Sequence, residues 1–415
     1  MQKMRKMKDS GIEWIGEIPE GWEVVPVKRL CTMQAGKNLT SEQIAPEGTY
    51  PVYGGNGIRG FFSDYNCDGQ FLTVGRQGAL CGNVHKINGK VWATEHAVIT
   101  TPSSYAILDF LYYLLIGMDL NQYVSSTAAQ PGLAVGTLLN LKTCYPCSTL
   151  EQTQISNYLN AKCSEINIML SKTRSSIEEY KKLKQAVITQ AVTKGVRGER
   201  EMKDSGVEWI GEIPKEWVIQ KIKSISSRIN VGVVIRPSEY FDENGTVPFL
   251  RGINVKEYLI SSDNMVYINE SSNHILSKSQ VHTDDILIVR DGSIGTSCVV
   301  PAEYDGANVV SMVIVTPSTS CDSRFICYSL NSDVGKTQFT LTKIGSALTH
   351  TSVSAVSDII VAVPSCAEQK EIADYLDAKC AEIDGLIAKK EQLVKELESY
   401  KKSLIYEVVT GKREV

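Results

Sequence analysis

Two blocks of the chain carry apolar residues at the alternating spacing of three and four that is typical of coiled coils. The first block, residues 151–193, contains no proline or glycine, and the second begins at Glu368. We predict two helices of about 40 residues, each roughly 60 Å long. The predicted seams are Leu159, Ile166, Tyr180 and Val187 with Ile155, Met169 and Leu183, and Leu376, Ile383, Leu397 and Leu404 with Ile372, Leu386, Leu393 and Tyr400. Because the seams match, we expect the helices to pack on each other rather than each on its own domain.

A helix-start signal precedes each block. Ser148-Thr149-Leu150-Glu151 and Ser365-Cys366-Ala367-Glu368 have the spacing of a capping box. In that motif the serine and glutamate side chains each bond the backbone N–H of the other residue. We therefore expect the helices to begin near residues 148 and 365.

The regions of about 21–147 and 217–364 follow a different pattern. Turn signals such as Asp68-Gly69 and Asn88-Gly89 separate short runs rich in β-branched residues. The runs predict strands at Gly69–Val74, Val84–Ile87, Val91–Trp92, Ile286–Val289 and Val309–Val315, and helices at Leu108–Ile116 and Ser323–Leu330. Each region is predicted to be a mixed α+β domain.

The chain is an internal duplication. Met7–Pro19 returns as Met202–Pro214 with twelve of thirteen positions identical, at an offset of 202 − 7 = 195. The block at Glu151 returns at Glu368, at an offset of 368 − 151 = 217. In between, a fainter match at offset 215 pairs Leu72 and Val74 with Leu287 and Val289, and Val98 with Val313. Because the chain is duplicated, we expect its two halves to fold alike and to be related by internal symmetry.

We therefore predict an α+β fold with two mixed α/β domains joined by two long antiparallel coiled-coil helices and related by a pseudo-two-fold axis. The two globular domains would lie at opposite ends of the helical rod. The predicted segments are residues 1–147 (repeat segment and first domain), 148–199 (first helix), 200–364 (repeat segment and second domain) and 365–415 (second helix).

Composition narrows the class of protein. Of 415 residues, 43% are hydrophobic and 22% charged, as in a soluble globular protein, and no apolar run reaches the length of about 18 that spans a bilayer. A net charge of −4 means that any DNA-facing surface would be local. Eleven irregularly spaced cysteines, and a basic start (Met1–Lys6) without a following apolar run, predict free thiols and a cytoplasmic location.

No motif supports catalysis or metal binding. Gly55-Asn56-Gly57-Ile58-Arg59-Gly60 matches the dinucleotide fingerprint, but Phe61–Tyr65 reads as strand and turn instead of the required helix. Gly335-Lys336-Thr337 lacks the first glycine of a phosphate loop, because that position is Leu330. Cys144-Tyr145-Pro146-Cys147 has no second pair for zinc. We predict no catalytic residue, no metal and no cofactor bound by this chain.

Basic and amide side chains near turns are the candidates for DNA contact, because arginine and glutamine can bond base edges bidentately. Arg76 and Gln77 directly follow a predicted strand, and Arg290 lies at nearly the same register of the second copy. The predicted DNA-contacting residues are Asn56, Arg59, Arg76, Gln77, Lys86, Arg251, Asn254, Lys256, Arg290 and Ser293. For each of them, a solvated surface group is the alternative interpretation.

Trp14 and Trp209 lie in the most closely repeated segment. Core packing is the ordinary role of such tryptophans. The alternative, which we predict, is a docking surface presented twice for two copies of one partner.

The doubled segments Lys8–Pro19 and Lys203–Pro214, and the doubled blocks beginning at Pro146 and Pro364, resemble those of the specificity subunits of type I restriction-modification systems. The resemblance covers essentially the whole chain. The runs Pro51–Gly57, Phe71–Gly78, Trp92–His96 and Val289–Gly295 also resemble target-recognition domains of that family.

The resemblance implies that each variable domain reads one half of a split double-stranded DNA sequence, and that the helices act as a ruler across an unread spacer. Because the domains differ, an asymmetric target is expected. The repeated parts would bind two modification subunits, which methylate adenine and use S-adenosylmethionine. Restriction/translocase subunits would add cleavage and translocation with ATP and Mg²⁺. The chain would be non-catalytic by itself and independent of membranes.

Three alternatives stay open on the sequence alone. A self-sufficient nuclease or methyltransferase would show catalysis by the purified chain. The recognition subunit of a related restriction enzyme would have one partner that both cuts and methylates, which the neighbouring genes would reveal. A coiled-coil scaffold with no DNA role would show no sequence-dependent binding even with its partners.

Overall fold

The structure, a computed structural model, describes residues 5–77, 81–124, 132–343 and 350–415. It divides into two compact units: the first contains the chain up to Arg174 together with Glu391–Val415, and the second contains Ser175–Lys390. Met1–Met4 of the basic start, and Gly78 after the predicted Arg76-Gln77 pair, lie outside the described residues.

The first unit is built on a four-stranded antiparallel sheet of order β4-β10-β7-β8 and a three-stranded sheet of order β6-β5-β9, in which β5 and β9 are parallel. Two-stranded sheets pair β1 with β2 and β11 with β3. The strands are β1 Met7–Asp9, β2 Glu17–Pro19, β3 Trp22–Pro26, β4 Cys31–Ala35, β5 Tyr50–Gly54, β6 Gly57–Phe62, β7 Gln70–Gly75, β8 Val84–Asn88, β9 Trp92–Ala93, β10 Ala97–Pro102 and β11 Lys142–Pro146. The helices are α1 Leu108–Gly117, α2 Val135–Asn140 and the first part of α3 Thr149–Lys194.

The second unit repeats this plan. Its strands are β12 Met202–Asp204, β13 Glu212–Pro214, β14 Val218–Lys221, β15 Ser226–Val231, β16 Val247–Leu250, β17 Val255–Lys256, β18 Leu259–Ile260, β19 Val266–Ile268, β20 Ile286–Val289, β21 Ser297–Val299, β22 Asn308–Val309, β23 Met312–Pro317 and β24 Ile360–Val363. Its helices are α4 Glu270–Ile275, α5 Ser323–Asn331, α6 Asp333–Lys343, α7 Val353–Ser357 and the first part of α8 Cys366–Val409. The sheet orders β15-β23-β20-β21 and β19-β16-β22 match those of the first unit and confirm the internal repeat.

The two long helices run antiparallel within each unit. As the residue numbers along α3 increase, the numbers of the residues that they contact on α8 decrease. The pairs are Asn167–Lys401 and Arg174–Glu398 in the first unit, and Tyr180–Lys390 and Lys184–Asp384 in the second. In the first unit, Leu72 and Val98 of the sheet share one core with Phe110 of α1 and Leu159 of α3. The predicted fold class is confirmed.

One of the two predicted seams is wrong over most of its length, since only its first residues, Ile155 and Ile372, are buried. Leu159, Ile166, Leu376 and Ile383 are buried as predicted. On the alternate seam, however, exposure is high for five residues: Met169 53%, Leu183 49%, Leu386 36%, Leu393 42% and Tyr400 49%. The buried positions there are Cys163, Leu170, Ile177 and Cys380. Cysteine packs as a small hydrophobe. Because the heptad count does not treat cysteine as apolar, it assigns the seam to apolar residues that are in fact exposed.

The capping boxes form only in half. Ser148 Oγ accepts the Glu151 N–H, and Ser365 Oγ accepts the Glu368 N–H, both at 3.4 Å. The glutamate carboxylates bond instead to residues that flank the repeat segments: Glu151 Oε1 accepts from Trp22 Nε1 at 3.0 Å, and Glu368 Oε1 from Arg200 at 2.7 Å. These carboxylates therefore fasten a repeat segment to the start of a long helix.

The offset that matches the two domains is also off by one residue at β7. Val74 pairs with Val98 and Ile288 pairs with Val313, so Val74 corresponds to Ile288 rather than to Val289. The predicted strand Val309–Val315 is interrupted because Ser311, at φ 48°, turns the chain from β22 to β23. With the corrected register, Arg76 and Arg290 occupy equivalent positions, each directly after its strand.

Candidate nucleic-acid interface

In the first unit, strands β5, β7 and β9 end side by side. We call residues 54–57, 76–77 and 94–96 at these ends the first edge. An added Cβ at Gly75 would lie 1.9 Å from the Gly55 carbonyl oxygen, so only glycine allows this close approach. The Arg76 N–H donates to the His96 carbonyl at 3.1 Å, which holds the third strand end beside the second. The predicted residues Asn56, Arg76 and Gln77 are thereby brought together.

The first edge has an unusual concentration of polar atoms without hydrogen-bond partners. Of twelve such shielded side-chain atoms in the described residues, four lie at the first edge and two lie beside it on β7 and β8: Arg76 Nε, Thr94 Oγ1, Glu95 Oε2 and His96 Nδ1, and Thr73 Oγ1 and His85 Nε2. Buried polar atoms are paired in most folded proteins. These atoms are shielded from solvent, so they form an unsatisfied polar cluster beneath the first edge and are not themselves surface groups.

His85, Thr94, Glu95 and His96 are not among the residues predicted from the sequence. His96 Nε2 lies 3.1 Å from Glu95 Oε1, which leaves the other histidine nitrogen free. Burial lowers the pKa of His85, so its neutral ring offers one donor and one acceptor. The available sequence signal was the Trp92–His96 run, whose family resemblance we noted without assigning residues to a site.

Two other predicted residues of this unit lie apart from the cluster. Arg59 is exposed, and its side chain lies over Gly54, where an added Cβ would be 2.4 Å from Arg59 Cδ. Lys86 Nζ lies 2.8 Å from Asp109 Oδ1 and 4.5 Å from the ring centroid of Tyr112. Lys86 therefore holds β8 to α1, and its DNA contact stays a prediction.

Lys86→Met is expected to reduce the stability of the first unit by about 1 kcal/mol at neutral pH. Burial raises the pKa of Asp109, but hydrogen bonds from Lys86 and Asn160 outweigh it and hold the pKa below its ordinary value. The ionised carboxyl therefore stabilises the fold above about pH 4, and this contribution is lost as the pH falls through the lower pKa of the folded state. Unfolding measured from pH 7 to pH 3 should show the loss shrinking with acidity. If Lys86→Met instead lowers the affinity for all DNA sequences equally and leaves the pH dependence of unfolding unchanged, Lys86 contacts phosphate.

The second unit assembles an equivalent edge at the ends of β16, β20 and β22. We call residues 251–256, 290–293 and Ser311 the second edge. Gly252 packs against Val289, as Gly55 packs against Gly75, and an added Cβ at Gly252 would lie 3.3 Å from Val289 Cγ1. Ser311 Oγ donates to Asp291 Oδ2 at 3.1 Å, which joins the third strand end to the second.

The predicted residues of the second edge differ in what they can contact. Asn254 is fully buried, with Oδ1 accepting the Arg251 N–H at 3.0 Å and Nδ2 donating to the Asp263 carbonyl at 2.9 Å, so this side chain shapes the loop and does not face solvent. Arg290 Nε donates to the Thr351 carbonyl at 3.0 Å. Arg251 donates to the Asn264 carbonyl, and its Nε has no partner in the described structure. Lys256 and Ser293 are exposed.

Of the two predicted docking tryptophans, Trp14 packs in part against the core of the first unit, and Trp209 is exposed. Trp14 is half-buried, with its ring centroid 6.4 Å from that of Tyr406, whose hydroxyl donates to the Trp14 carbonyl at 2.8 Å. Trp209 is 38% exposed. The fully buried tryptophans of the repeat are Trp22 and Trp217 instead.

Thiols and metals contribute no further site among the described residues. No group of three or more histidine, cysteine, aspartate or glutamate residues there could hold a metal ion. Burial raises the pKa of Cys144 to about 12, so this thiol of the CxxC sequence is protonated and packs as a hydrophobe. None of the helices in the described ranges has the length and apolar character needed to cross a membrane.

Comparison with known proteins identifies related sequences over both halves. A family model described as the type I restriction modification DNA specificity domain matches residues 19–179 and 214–396. The EcoprrI specificity subunit of Escherichia coli is 45% identical over 121 residues, which are 28% of this chain and 30% of that protein. The MjaVIII specificity subunit of Methanocaldococcus jannaschii is 24% identical over 417 residues, covering 95% of this chain and 93% of that protein.

Solved structures share the fold. One chain, from a structure titled as the basis of complex assembly and conformational transition of the type I R-M system, superposes with a TM-score of 0.70 at 13% identity, covering 95% of this chain and 99% of its own. The HsdS subunit of Thermoanaerobacter tengcongensis gives a TM-score of 0.50 at 14% identity, covering 98% of this chain and all of that one.

Proposed function

Because this chain belongs to the type I restriction-modification DNA specificity family, we propose that its two units each read one half of an asymmetric, two-part DNA target. The chain is a specificity subunit, and its role is recognition rather than catalysis. The family match to both halves gives one specificity domain to each unit. Different side chains on the two edges would make the half-sites different.

The observation that carries the proposal is the convergence of Asn56, Arg76 and Gln77 at the first edge, where three strand ends meet. Arginine can bond guanine O6 and N7 bidentately, and asparagine and glutamine can bond adenine N6 and N7 in the same way. Arg76, Asn56 and Gln77 place these groups together. In the second unit, Arg290 supplies the equivalent arginine, and Asp291 beside it can accept from the amino group of cytosine.

For the partners, we infer that two modification subunits bind the long helices and the repeat segments. Met169 and Leu386, which are 217 residues apart, are both exposed, and so are Leu183 and Tyr400 at the same offset. Trp14 and Trp209 lie on the repeat segments of the two units. Apolar groups presented twice at equivalent positions fit two copies of one partner.

The chemistry of modification and cleavage is assigned by this proposal to the partners. The modification subunits would use S-adenosylmethionine, and restriction/translocase subunits would use ATP and Mg²⁺. The reaction on DNA would place the complex in the cytoplasm, and the eleven unpaired cysteines agree with a reducing compartment.

The test is to co-express the chain with its modification subunit in a host without DNA methylation and to map adenine methylation over the genome. A two-part asymmetric motif with a fixed gap is expected. An assembled complex that methylates nothing would overturn the proposal.

Arg76→Ala and Arg290→Ala make the assignment of each edge testable. Each substitution should cost about 1–3 kcal/mol of discrimination, confined to one half-site and different for the two variants. Competition binding with duplexes altered in one half-site at a time measures this loss. A loss of equal size on every sequence would show that the arginine contacts phosphate and does not read a base.

A further inference from the structure

The two edges place different side chains at equivalent backbone positions. Gly55 and Gly252 occupy the same place, since each packs against the end of the neighbouring strand, at Gly75 and Val289. The next residue is Asn56 in the first unit and Ile253 in the second. Both are exposed, Ile253 by 54%.

A second equivalent pair shows the same change from polar to apolar. The Lys37 N–H donates to the Ala93 carbonyl at 2.9 Å, and the Val233 N–H donates to the Val309 carbonyl at 2.8 Å. The residues that follow are therefore also equivalent: Asn38, which is exposed, and Val234, which is 53% exposed.

We propose that Ile253 reads the methyl group of a thymine in the second half-site; this inference rests on the proposed function. The thymine methyl is the apolar group that a base pair presents in the major groove, and aliphatic side chains contact it there. Ile253 lies one residue beyond Gly252, whose strand end adjoins the strand that Arg290 follows, so an exposed side chain with no hydrogen-bonding group belongs to the same edge as this arginine. Single exposed apolar residues are common on protein surfaces, but here two of them, Ile253 on the second edge and Val234 near it, occupy positions equivalent to exposed asparagines of the first unit.

The chemistry distinguishes the half-sites. Asn56 can form hydrogen bonds with adenine. Ile253 has no hydrogen-bonding group, so its contact adds binding free energy only by removing the thymine methyl group from water. Burying one such carbon is worth about fourfold in affinity. The second edge therefore discriminates thymine from cytosine through shape and hydrophobic contact beside the arginine.

The experiment uses the full chain assembled with its modification subunit and duplexes of the mapped target. Thymines of the second half-site are replaced one at a time by deoxyuridine, which lacks only the methyl group. We expect one replacement to weaken binding by the wild-type complex about fourfold and to have no effect on binding by the Ile253→Ala complex. Ile275→Ala, which changes an isoleucine 73% exposed on α4 and outside the second edge, is the matched control and should keep the full sensitivity.

The possible results distinguish a failure of the Ile253 assignment from a failure of the proposed function. If the complex discriminates its target but every deoxyuridine replacement is neutral, or if the second half-site contains no thymine, the role of Ile253 is overturned. If Ile253→Ala keeps the methyl sensitivity, a different residue reads the thymine and the assignment is wrong. If the complex shows no sequence-dependent binding at all, the proposed function itself fails.

Discussion

Replacing Trp22 by alanine is expected to lower the free energy of unfolding of the first unit by about 3–5 kcal/mol. Trp22 is 1% exposed, and its Nε1 donates to Glu151 Oε1 at 3.0 Å. Arg5 also pairs with Glu151 and lies 5.7 Å from the centre of the indole ring. The substitution would therefore leave a cavity and break the contact that fastens the repeat segment to α3. Urea unfolding of the full chain measures the loss, and hydrogen exchange should locate it in β3 and β11.

The duplication supplies a matched control for the hydrogen bond. Trp217 is fully buried in the equivalent place, but its Nε1 has no partner within the described structure, although Arg200 bonds Glu368 as Arg5 bonds Glu151. Both Trp22→Phe and Trp217→Phe remove buried volume and leave a cavity, but only Trp22→Phe also loses a hydrogen bond to a carboxylate, so it should cost about 1.5–3 kcal/mol more than Trp217→Phe. Equal losses in the two variants would mean that the bond from Trp22 to Glu151 contributes nothing.

The long helices and the repeat could be predicted because their signals are local and doubled. Two matched heptad blocks and an almost identical segment need no tertiary information. The second seam could not be assigned correctly, because Met169 and Leu183 are apolar and Cys163 is small, and only packing shows that the cysteine faces inward. The domain boundaries that we infer from the sequence stay predictions.

The residues of the candidate site also fall into those that the sequence could predict and those that it could not. Arg76 and Arg290 could be found because each directly follows a strand that the sequence predicts. Asn254 could not be judged, since its amide bonds the loop carbonyls that surround it and only the folded loop shows this. Glu95 and His96 join Arg76 through the approach of strands distant in sequence, which a pattern along the chain does not reveal.

The corrected register changes what the repeat means for recognition. At offset 215, Arg76 would correspond to Asp291, and the two units would present opposite charges at this position. At the observed pairing of Val74 with Val98 and Ile288 with Val313, the two arginines coincide. The duplication therefore keeps one arginine in each unit, and neighbouring positions such as Asn56 and Ile253 carry the difference.

Arg228→Met is expected to destabilise the second unit by about 3–5 kcal/mol, because it leaves a buried carboxylate without its cation. Asp285 is 1% exposed at the start of β20, and Arg228 reaches its Oδ2 at 2.8 Å. The His282 N–H at 2.9 Å and the Thr316 hydroxyl are the other donors to this carboxylate, and both are neutral. The double variant Arg228→Met/Asp285→Asn removes the charge together with its partner, so it should recover part of the loss, as comparison of the two unfolding midpoints in urea will measure. If the double variant is no more stable than Arg228→Met, the cost comes from lost packing of the arginine stem and not from the unpaired charge.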